Sequence, residues 1–331
     1  MSTWTALVSF ELRARFCDRE WIPLQPAVAL RESFRERGVG VGVEMLRAYA
    51  VRHLALCSRP SLTLINAAME ARADAFVRSW VSGVKLGPDA YPESPVSVAD
   101  LYATHLAIAK HPLVESELGG IGGYKIGAPG GAGEVAISAP LFKRFLVDAP
   151  GRGLSASFIG LCQIEPEIGV VMGADLPPRD RPYSVEDAWA AVDSVVLIIE
   201  CCGQRSTPEA AEAVTSALGK YADTLSSGGI VLGPRLPAAQ VGIEGVKCAV
   251  ELFVNDEKVA TGSGKAAPQG GPAEALAWVV NHLNGRPGGL YLKAGELVAT
   301  GQMCNTKVIK PGDRVRAEYA QLGEVEMVVE P

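Results

Sequence analysis

The sequence predicts a mixed α+β protein in which a helical region precedes a region of short strands. Apolar residues recur at helical spacing before about residue 120, and after it they form short runs broken by glycine and proline. Predicted strands and helices do not alternate in regular βαβ units, which argues against a doubly wound sheet. We therefore divide the chain into an N-terminal extension of unknown role (1–65), a helical region (66–120) and a β-rich domain (121–331).

Two helices are predicted in the helical region. The first extends from Asn66, a favourable N-cap residue, to about residue 84, and the second begins after Ser97. Three further helices are predicted at Ser184, at Thr207 followed by Pro208, and at Pro272. The strands are predicted at 159–172, 194–202, 246–254, 258–262, 297–300, 314–319 and 324–329.

The composition excludes several classes of partner. The chain has 331 residues, 48% of them hydrophobic, and a formal net charge of −6. Without a basic surface, neither nucleic acid nor an anionic membrane is expected as a partner, and no apolar stretch reaches the roughly 20 residues that span a bilayer. The seven scattered cysteines lack Cys-x-x-Cys spacing, which predicts a reducing compartment. A cytoplasmic location is expected, with a mitochondrial one as the alternative because residues 1–65 contain nine arginines.

Glu165 and Glu167 stand two residues apart in an apolar stretch, so a strand would direct both carboxylates to one face. Two like charges on a half-buried face raise each other's pKa unless a cation lies between them. Mg²⁺, Mn²⁺ and Ca²⁺ are the ions that suit carboxylate oxygens. The alternative from this spacing is an exposed strand face with two solvated glutamates.

Glu200 and Lys125 are two further candidates. Glu200 ends the apolar run 195–199, where it is a third metal ligand, the ion-pair partner of Arg205, or simply exposed at the strand end. Lys125, among glycines and apolar residues, could pair with a substrate carboxylate, relay a proton with a depressed pKa, or extend to the surface. The glycine clusters at 130–133 and 262–265 match no phosphate-binding motif, so no nucleotide cofactor is predicted.

Taken in order, these segments resemble the fumarylacetoacetate hydrolase superfamily, most closely its branch of 2-keto-4-pentenoate hydratases and 4-oxalocrotonate decarboxylases. The resemblance covers roughly residues 67–330. Its motifs are Gly123-Tyr124-Lys125-Ile126-Gly127, Ile164-Glu165-Pro166-Glu167-Ile168, Ile199-Glu200 with Gly203-Gln204-Arg205, Ala275-Leu276-Ala277-Trp278-Val279-Val280-Asn281, Thr300-Gly301 and Pro311-Gly312-Asp313-Arg314-Val315. Each motif alone is weak, but together in this order they make the resemblance specific.

The resemblance implies a mixed β-roll domain that binds Mg²⁺ or Mn²⁺ through Glu165, Glu167 and Glu200. It gives Lys125 the place of the active-site lysine, and Asp223 the place of an aspartate in an Asp-Asn-x-Ser segment. The implied activity is that of a hydratase in aromatic catabolism, acting on a short anionic 2-hydroxydienoate or 2-oxo acid. Decarboxylation of a 2-oxo acid or hydrolysis of an acylpyruvate is the alternative, and a homo-oligomer is expected.

The sequence departs from the family pattern around the lysine. Leu141 stands where family hydratases carry an acid, Gly271 replaces a histidine, and Thr224 replaces the asparagine after the aspartate. Glu134 is the residue that could substitute for the missing acid. These losses also leave open a non-catalytic subunit that keeps the fold.

Overall fold

In the computed structural model of the protein, the described residues are 66–128, 136–152, 154–307 and 309–331. The predicted extension 1–65 and the candidate Glu134 lie outside them. The described helices and strands share a main hydrophobic core. Mixed helices and sheets confirm the predicted α+β class, and the part of the chain described contains no helix long and apolar enough to cross a membrane.

The helical region contains α1 (Ala67–Ser82), α2 (Val98–Ala109) and α3 (Pro112–Leu118). Asn66 accepts hydrogen bonds from two amides of the first turn of α1, at 3.0 and 3.1 Å, and Ser97 caps α2 in the same way at 3.1 Å. Both predicted caps are therefore confirmed. The ring of Trp80 in α1 lies 5.3 Å from that of Phe142 and 4.7 Å from that of Phe145, so this region packs on the β-rich one.

A seven-stranded mixed sheet forms the centre of the β-rich region. Its strands are β1 (Ile121–Gly127), β2 (Ile137–Phe142), β3 (Leu146–Asp148), β4 (Leu161–Met172), β5 (Val192–Gly203), β6 (Ser227–Pro237) and β9 (Leu297–Ala299). They lie in the order β2, β1, β9, β4, β5, β6, β3. The pairs β1–β9 and β3–β6 are parallel and the others are antiparallel. In this order β4 is the central strand and β5 lies beside it.

A second, four-stranded antiparallel sheet packs against the first. Its strands are β7 (Ala249–Val254), β8 (Glu257–Ser263), β10 (Arg314–Tyr319) and β11 (Gly323–Val328), in the order β11, β10, β7, β8. The hydroxyl of Tyr319 lies 2.6 Å from the carbonyl oxygen of Ile198 in β5 and 3.1 Å from that of Glu167 in β4. This contact fixes the two sheets together beside the predicted metal ligands.

In the described ranges, six more α-helices connect the strands: α4 (Ala156–Ile159), α5 (Val185–Trp189), α6 (Pro208–Ala213), α7 (Ala217–Ala222), α8 (Ala238–Gly245) and α9 (Pro272–Asn284). The predicted starts at Ser184, Thr207 and Pro272 are confirmed. Asn281 of α9 accepts a hydrogen bond from the backbone amide of Tyr183 at 2.7 Å, which anchors the helix beside α5.

Four strands, β1, β2, β3 and β6, were not among the predicted ones. Their sequences are short or rich in glycine and proline, a composition that favours turns. In the sheet, however, small residues permit neighbouring strands to approach each other closely. A Cβ added to Gly123 would lie 1.8 Å from the carbonyl oxygen of Leu297 in β9. Gly123 therefore allows the neighbouring strand β9 to approach closely.

Candidate metal centre

Three glutamates lie on one face of the central strand pair. Glu165 and Glu167 are alternate residues of β4, so the pleat directs both side chains to the same side. In the antiparallel register Glu165 lies directly opposite Glu200 of β5, and Glu167 lies opposite Ile198. The structure therefore places Glu165 and Glu200 side by side, although they are far apart in the sequence.

The carboxylates lie at the end of an otherwise apolar sheet face. The same face continues as a buried cluster formed by Leu141, Val171, Val196, Ile198, Ile230, Leu297 and Ala299. Glu167 and Glu200 are only 1% and 0% exposed, whereas Glu165 is partly exposed. Solvent therefore reaches the group from the side of Glu165. Leu141, which replaces the acid of family hydratases, belongs to the apolar cluster.

Burial and like charges shift the pKa values of both β4 glutamates upward. Burial, together with the negative charge of Glu200, raises the pKa of Glu165 to about 6, although Lys125 opposes the shift. Burial and the charges of Glu200 and Glu165 raise the pKa of Glu167 well above its usual value. The Glu167 carboxylate accepts one hydrogen bond, from the backbone amide of Gly301 at 2.9 Å. Both carboxylates would thus be stabilised as anions by an added cation.

Lys125 of β1 reaches the same group from the side. Its ammonium group is buried, donates to Glu200 Oε1 in a close ion pair, and donates to the carbonyl oxygen of Leu225 at 3.0 Å. Burial by itself lowers the pKa of a lysine, but the charge of Glu200 outweighs this effect and the pKa of Lys125 is raised. Of the alternatives for Lys125, the proton relay with a depressed pKa is therefore contradicted by this geometry, because the raised pKa favours the positively charged side chain.

The carbonyl group that faces Lys125 belongs to a strained turn. Thr224, Leu225 and Ser226 have φ values of 44°, 57° and 55°, which place three successive non-glycine residues in the left-handed region. Each such residue costs about 1–2 kcal/mol relative to the ordinary conformation. Strain of this size persists only where surrounding contacts hold the backbone in place, and here it directs the Leu225 carbonyl toward the ammonium group.

Asp223 precedes this turn and is fully engaged in other contacts. One carboxylate oxygen accepts from Trp80 Nε1 at 3.1 Å, and the other accepts from the backbone amide of Arg205 at 3.0 Å. The guanidinium group of Arg205 lies 3.8 Å from Asp223 and 4.0 Å from the centre of the Trp80 ring. These contacts hold the base of the turn. The catalytic role predicted for Asp223 stays a prediction.

Cys202 joins the group and was missed in the sequence. Its sulfur and one oxygen each of Glu165 and Glu200 all lie within 4.8 Å of one another. The signal was present: Cys202 follows Glu200 by two residues on a strand, so both side chains share a face. A metal site built across two strands does not require the Cys-x-x-Cys spacing that this sequence lacks.

The donor set fits a divalent cation. Among the described residues, Glu200 Oε2 is a buried oxygen without a hydrogen-bond partner. Three carboxylates, those of Glu165, Glu167 and Glu200, face a single ammonium group, so the group as a whole lacks positive charge. Buried anions are stable only when paired or bound to a metal, and hard oxygen donors are those that Mg²⁺, Mn²⁺ and Ca²⁺ prefer.

Comparisons with known proteins point to one family. Residues 148–330 match the family model described as fumarylacetoacetate (FAA) hydrolase C-terminal, a range that includes the three glutamates and leaves Lys125 outside. The chain is 31% identical to 2-keto-4-pentenoate hydratase 1 of Dechloromonas aromatica (strain RCB) over 197 residues, 58% of this chain and 70% of that protein. It is 32% identical to 2-keto-4-pentenoate hydratase of Paraburkholderia xenovorans (strain LB400) over 165 residues, 49% of this chain and 57% of that protein.

Among solved structures, the fold is similar to that of 4-oxalocrotonate decarboxylase from Pseudomonas putida G7, complexed with calcium and acetate. The TM-score is 0.65 at 24% sequence identity, and the match covers 79% of this chain and 96% of that one. This similarity confirms the predicted fold. Because the family model covers more than half of the sequence, the chain belongs to the fumarylacetoacetate hydrolase family.

Proposed function

We propose that this protein is a divalent-metal-dependent hydratase that adds water to a short 2-hydroxydienoic acid such as 2-hydroxypenta-2,4-dienoate. The observation that carries the proposal is the pairing of Glu165 with Glu200 across β4 and β5, with Lys125 on the second carboxylate. The names of the related hydratases support the reaction class. The decarboxylase of similar fold is complexed with a divalent ion and a carboxylic acid, which supports the same kind of ligands here.

In this proposal Glu165, Glu167 and Glu200 hold Mg²⁺ or Mn²⁺. When bound, such an ion supplies positive charge that stabilises the enolate form of a 2-oxo acid. Lys125 is charged and close to Glu200, so it can bind the substrate carboxylate. Leu141 has no ionisable group, and we therefore propose Glu134 as the group that transfers protons.

Asp223 acts on the site through the turn that follows it. Its hydrogen bonds to Trp80 and to the Arg205 amide fix the start of the turn, whose Leu225 carbonyl accepts from Lys125. We propose that Asp223 thereby positions the lysine.

A homo-oligomer is proposed as the assembly, and light scattering of the purified protein tests it.

The experiment follows the loss of dienol absorbance when purified protein and Mg²⁺ or Mn²⁺ are mixed with 2-hydroxypenta-2,4-dienoate. Wild type should turn over, whereas Glu165→Gln and Glu200→Gln should lose at least about a hundredfold in rate, since each removes a ligand of the cation that stabilises the developing enolate. Glu257→Gln is the matched control, because this exposed glutamate lies in a hairpin of the other sheet and its variant should retain wild-type activity.

Product mass separates the alternatives. Gain of water supports the hydratase, and loss of carbon dioxide from a 2-oxo diacid or cleavage of an acylpyruvate would replace it with a decarboxylase or hydrolase. Metal binding without turnover on any of these acids would contradict the proposal and favour a non-catalytic subunit. Equal rates for wild type and both site variants would also contradict it.

A further inference from the structure

We infer that Cys202 is an additional ligand of the cation held by Glu165 and Glu200, and that its sulfur biases the site toward thiophilic divalent ions such as Zn²⁺ or Co²⁺. The inference rests on the metal site of the proposed function. It concerns which ion this chain selects, and it assigns a role to a residue that lies outside the predicted ligand set.

The position of Cys202 follows from strand geometry. It is the second residue after Glu200 on β5, and its register partner on β4 is Gln163, whose side-chain amide donates to the Glu165 carboxylate. Sulfur and carboxylate oxygens therefore lie on one face of the same strand pair. Their mutual distances, all within 4.8 Å, are close to the roughly 3–4 Å that separates neighbouring ligands of one ion at metal–ligand distances of about 2.0–2.3 Å.

A second observation indicates that a cation belongs at this position. Glu200 is completely buried, and in the described part of the chain its Oε2 atom has no hydrogen-bond donor, while Oε1 is held by Lys125. A buried carboxylate oxygen without a donor is unfavourable. The one ammonium group does not balance the buried carboxylates around it, so the free oxygen and the nearby sulfur form an incomplete coordination sphere.

The neighbouring cysteine shows that the arrangement is specific to position 202. Cys201 points to the opposite face of β5, where its sulfur contacts Met327 Sδ at 3.7 Å in the apolar core. Cys162 donates to the backbone carbonyl oxygen of Cys202 at 3.5 Å. Cys201 is therefore a matched control: it is adjacent, buried and equally small, but faces away from the carboxylates.

Sulfur changes the preference among ions. Carboxylate oxygens alone suit Mg²⁺ and Mn²⁺, whereas a thiolate selects softer ions. On binding, the thiol proton passes to solvent and the sulfur lone pair forms the metal bond, so the reaction needs no oxidant or other reactant. A mixed oxygen and sulfur site should thus bind Co²⁺ or Zn²⁺ more tightly than Mg²⁺.

The test uses chelator-treated full-length protein titrated with Co²⁺, which gives a sulfur-to-cobalt charge-transfer band in the near ultraviolet when a thiolate binds. Wild type and Cys201→Ser should show the band at one equivalent, and Cys202→Ser and Cys202→Ala should lack it. Calorimetry should show that Cys202→Ser weakens Co²⁺ binding at least about tenfold while Mg²⁺ binding changes less than about threefold. Circular dichroism verifies that each variant is folded.

Different failures have different meanings. Stoichiometric Co²⁺ binding to wild type without the band, or a band that persists in both Cys202 variants, overturns the assignment of Cys202 and leaves the hydratase proposal standing. Absence of any divalent-ion binding to wild type, together with absence of turnover, overturns both.

Discussion

Glu165 and Glu200 lie directly opposite each other on neighbouring antiparallel strands, and Lys125 forms its ion pair with the second of them. Like charges in such a cross-strand pair are destabilising unless a positive charge compensates them. The single ammonium group of Lys125 compensates the charge of only one of these two carboxylates. The stability of the β4–β5 pair should therefore depend on pH and on divalent ions.

Glu200→Gln should destabilise the metal-free protein by about 3–5 kcal/mol, because it removes the ion-pair partner of the buried Lys125 ammonium group. Urea unfolding in the presence of a chelator measures the change. Combining it with Lys125→Met should restore part of the loss. Glu251→Gln is the control, since it removes the partner of the exposed Lys258 and should cost about 1 kcal/mol or less. Equal losses in the two single variants would argue against a buried ion pair.

The metal-free protein should lose stability as pH rises from about 4.5 to about 6. The pKa of Glu165 is raised from 4.5 to about 6, so the folded state retains a proton that the unfolded chain has released. Unfolding free energy therefore decreases with rising pH, by about 2 kcal/mol for this group. Urea midpoints at several pH values should show the decrease in wild type and a smaller one in Glu165→Gln. Saturating Mn²⁺ should remove the difference, and identical slopes without metal would contradict this account.

His105 should produce the opposite pH dependence. It is buried, with Nε2 3.0 Å from the carbonyl oxygen of Tyr221, and burial lowers its pKa from 6.5 to about 4. The folded state then requires the neutral ring, so stability is complete above pH 6.5 and is lost as pH falls toward 4, by about 3 kcal/mol. His105→Gln should be less stable at pH 7 and should lose less on acidification. An acid-induced loss as large as that of wild type would exclude His105 as its source.

Asp223→Asn should destabilise the protein by about 3–5 kcal/mol. In asparagine, an amide N–H group replaces one of the two oxygens that accept from Trp80 and from the Arg205 backbone, so a donor faces a donor. The substitution also leaves the Arg205 guanidinium group without its negative partner. Denaturant unfolding followed by tryptophan fluorescence measures the loss, and Asp180→Asn at an exposed position should be nearly neutral. A stable Asp223→Asn variant without activity would instead favour direct catalysis by this carboxyl group.

Gly123→Ala should destabilise by at least about 3 kcal/mol, because the new methyl group meets the Leu297 backbone and must displace β9. Gly87→Ala, where an added Cβ meets nothing within 4 Å, is the control and should fold normally. Thermal unfolding of the two variants checks the prediction. Similar midpoints would show that β1 and β9 can separate at little cost.

The sequence by itself determined the helix caps, most strands and the composition of the acidic face. Asn66 and Ser97 cap their helices by accepting hydrogen bonds from backbone amides two or three residues further on. The two-residue spacing of Glu165 and Glu167 places both side chains on one face because side chains alternate along a strand. These are local effects, so they are visible without tertiary structure. The family motifs also predicted the fold and the residues proposed as ligands.

Only the tertiary structure decided which side chains meet. The register of β4 and β5 places Glu200 and Cys202 beside Glu165, and the strained turn after Asp223 brings the Leu225 carbonyl group to Lys125. The glycine-rich β1 and β6 are strands because neighbouring strands satisfy their backbone groups and occupy the space that side chains would fill. Register, close approach and burial are long-range properties, and no local pattern of residues contains them.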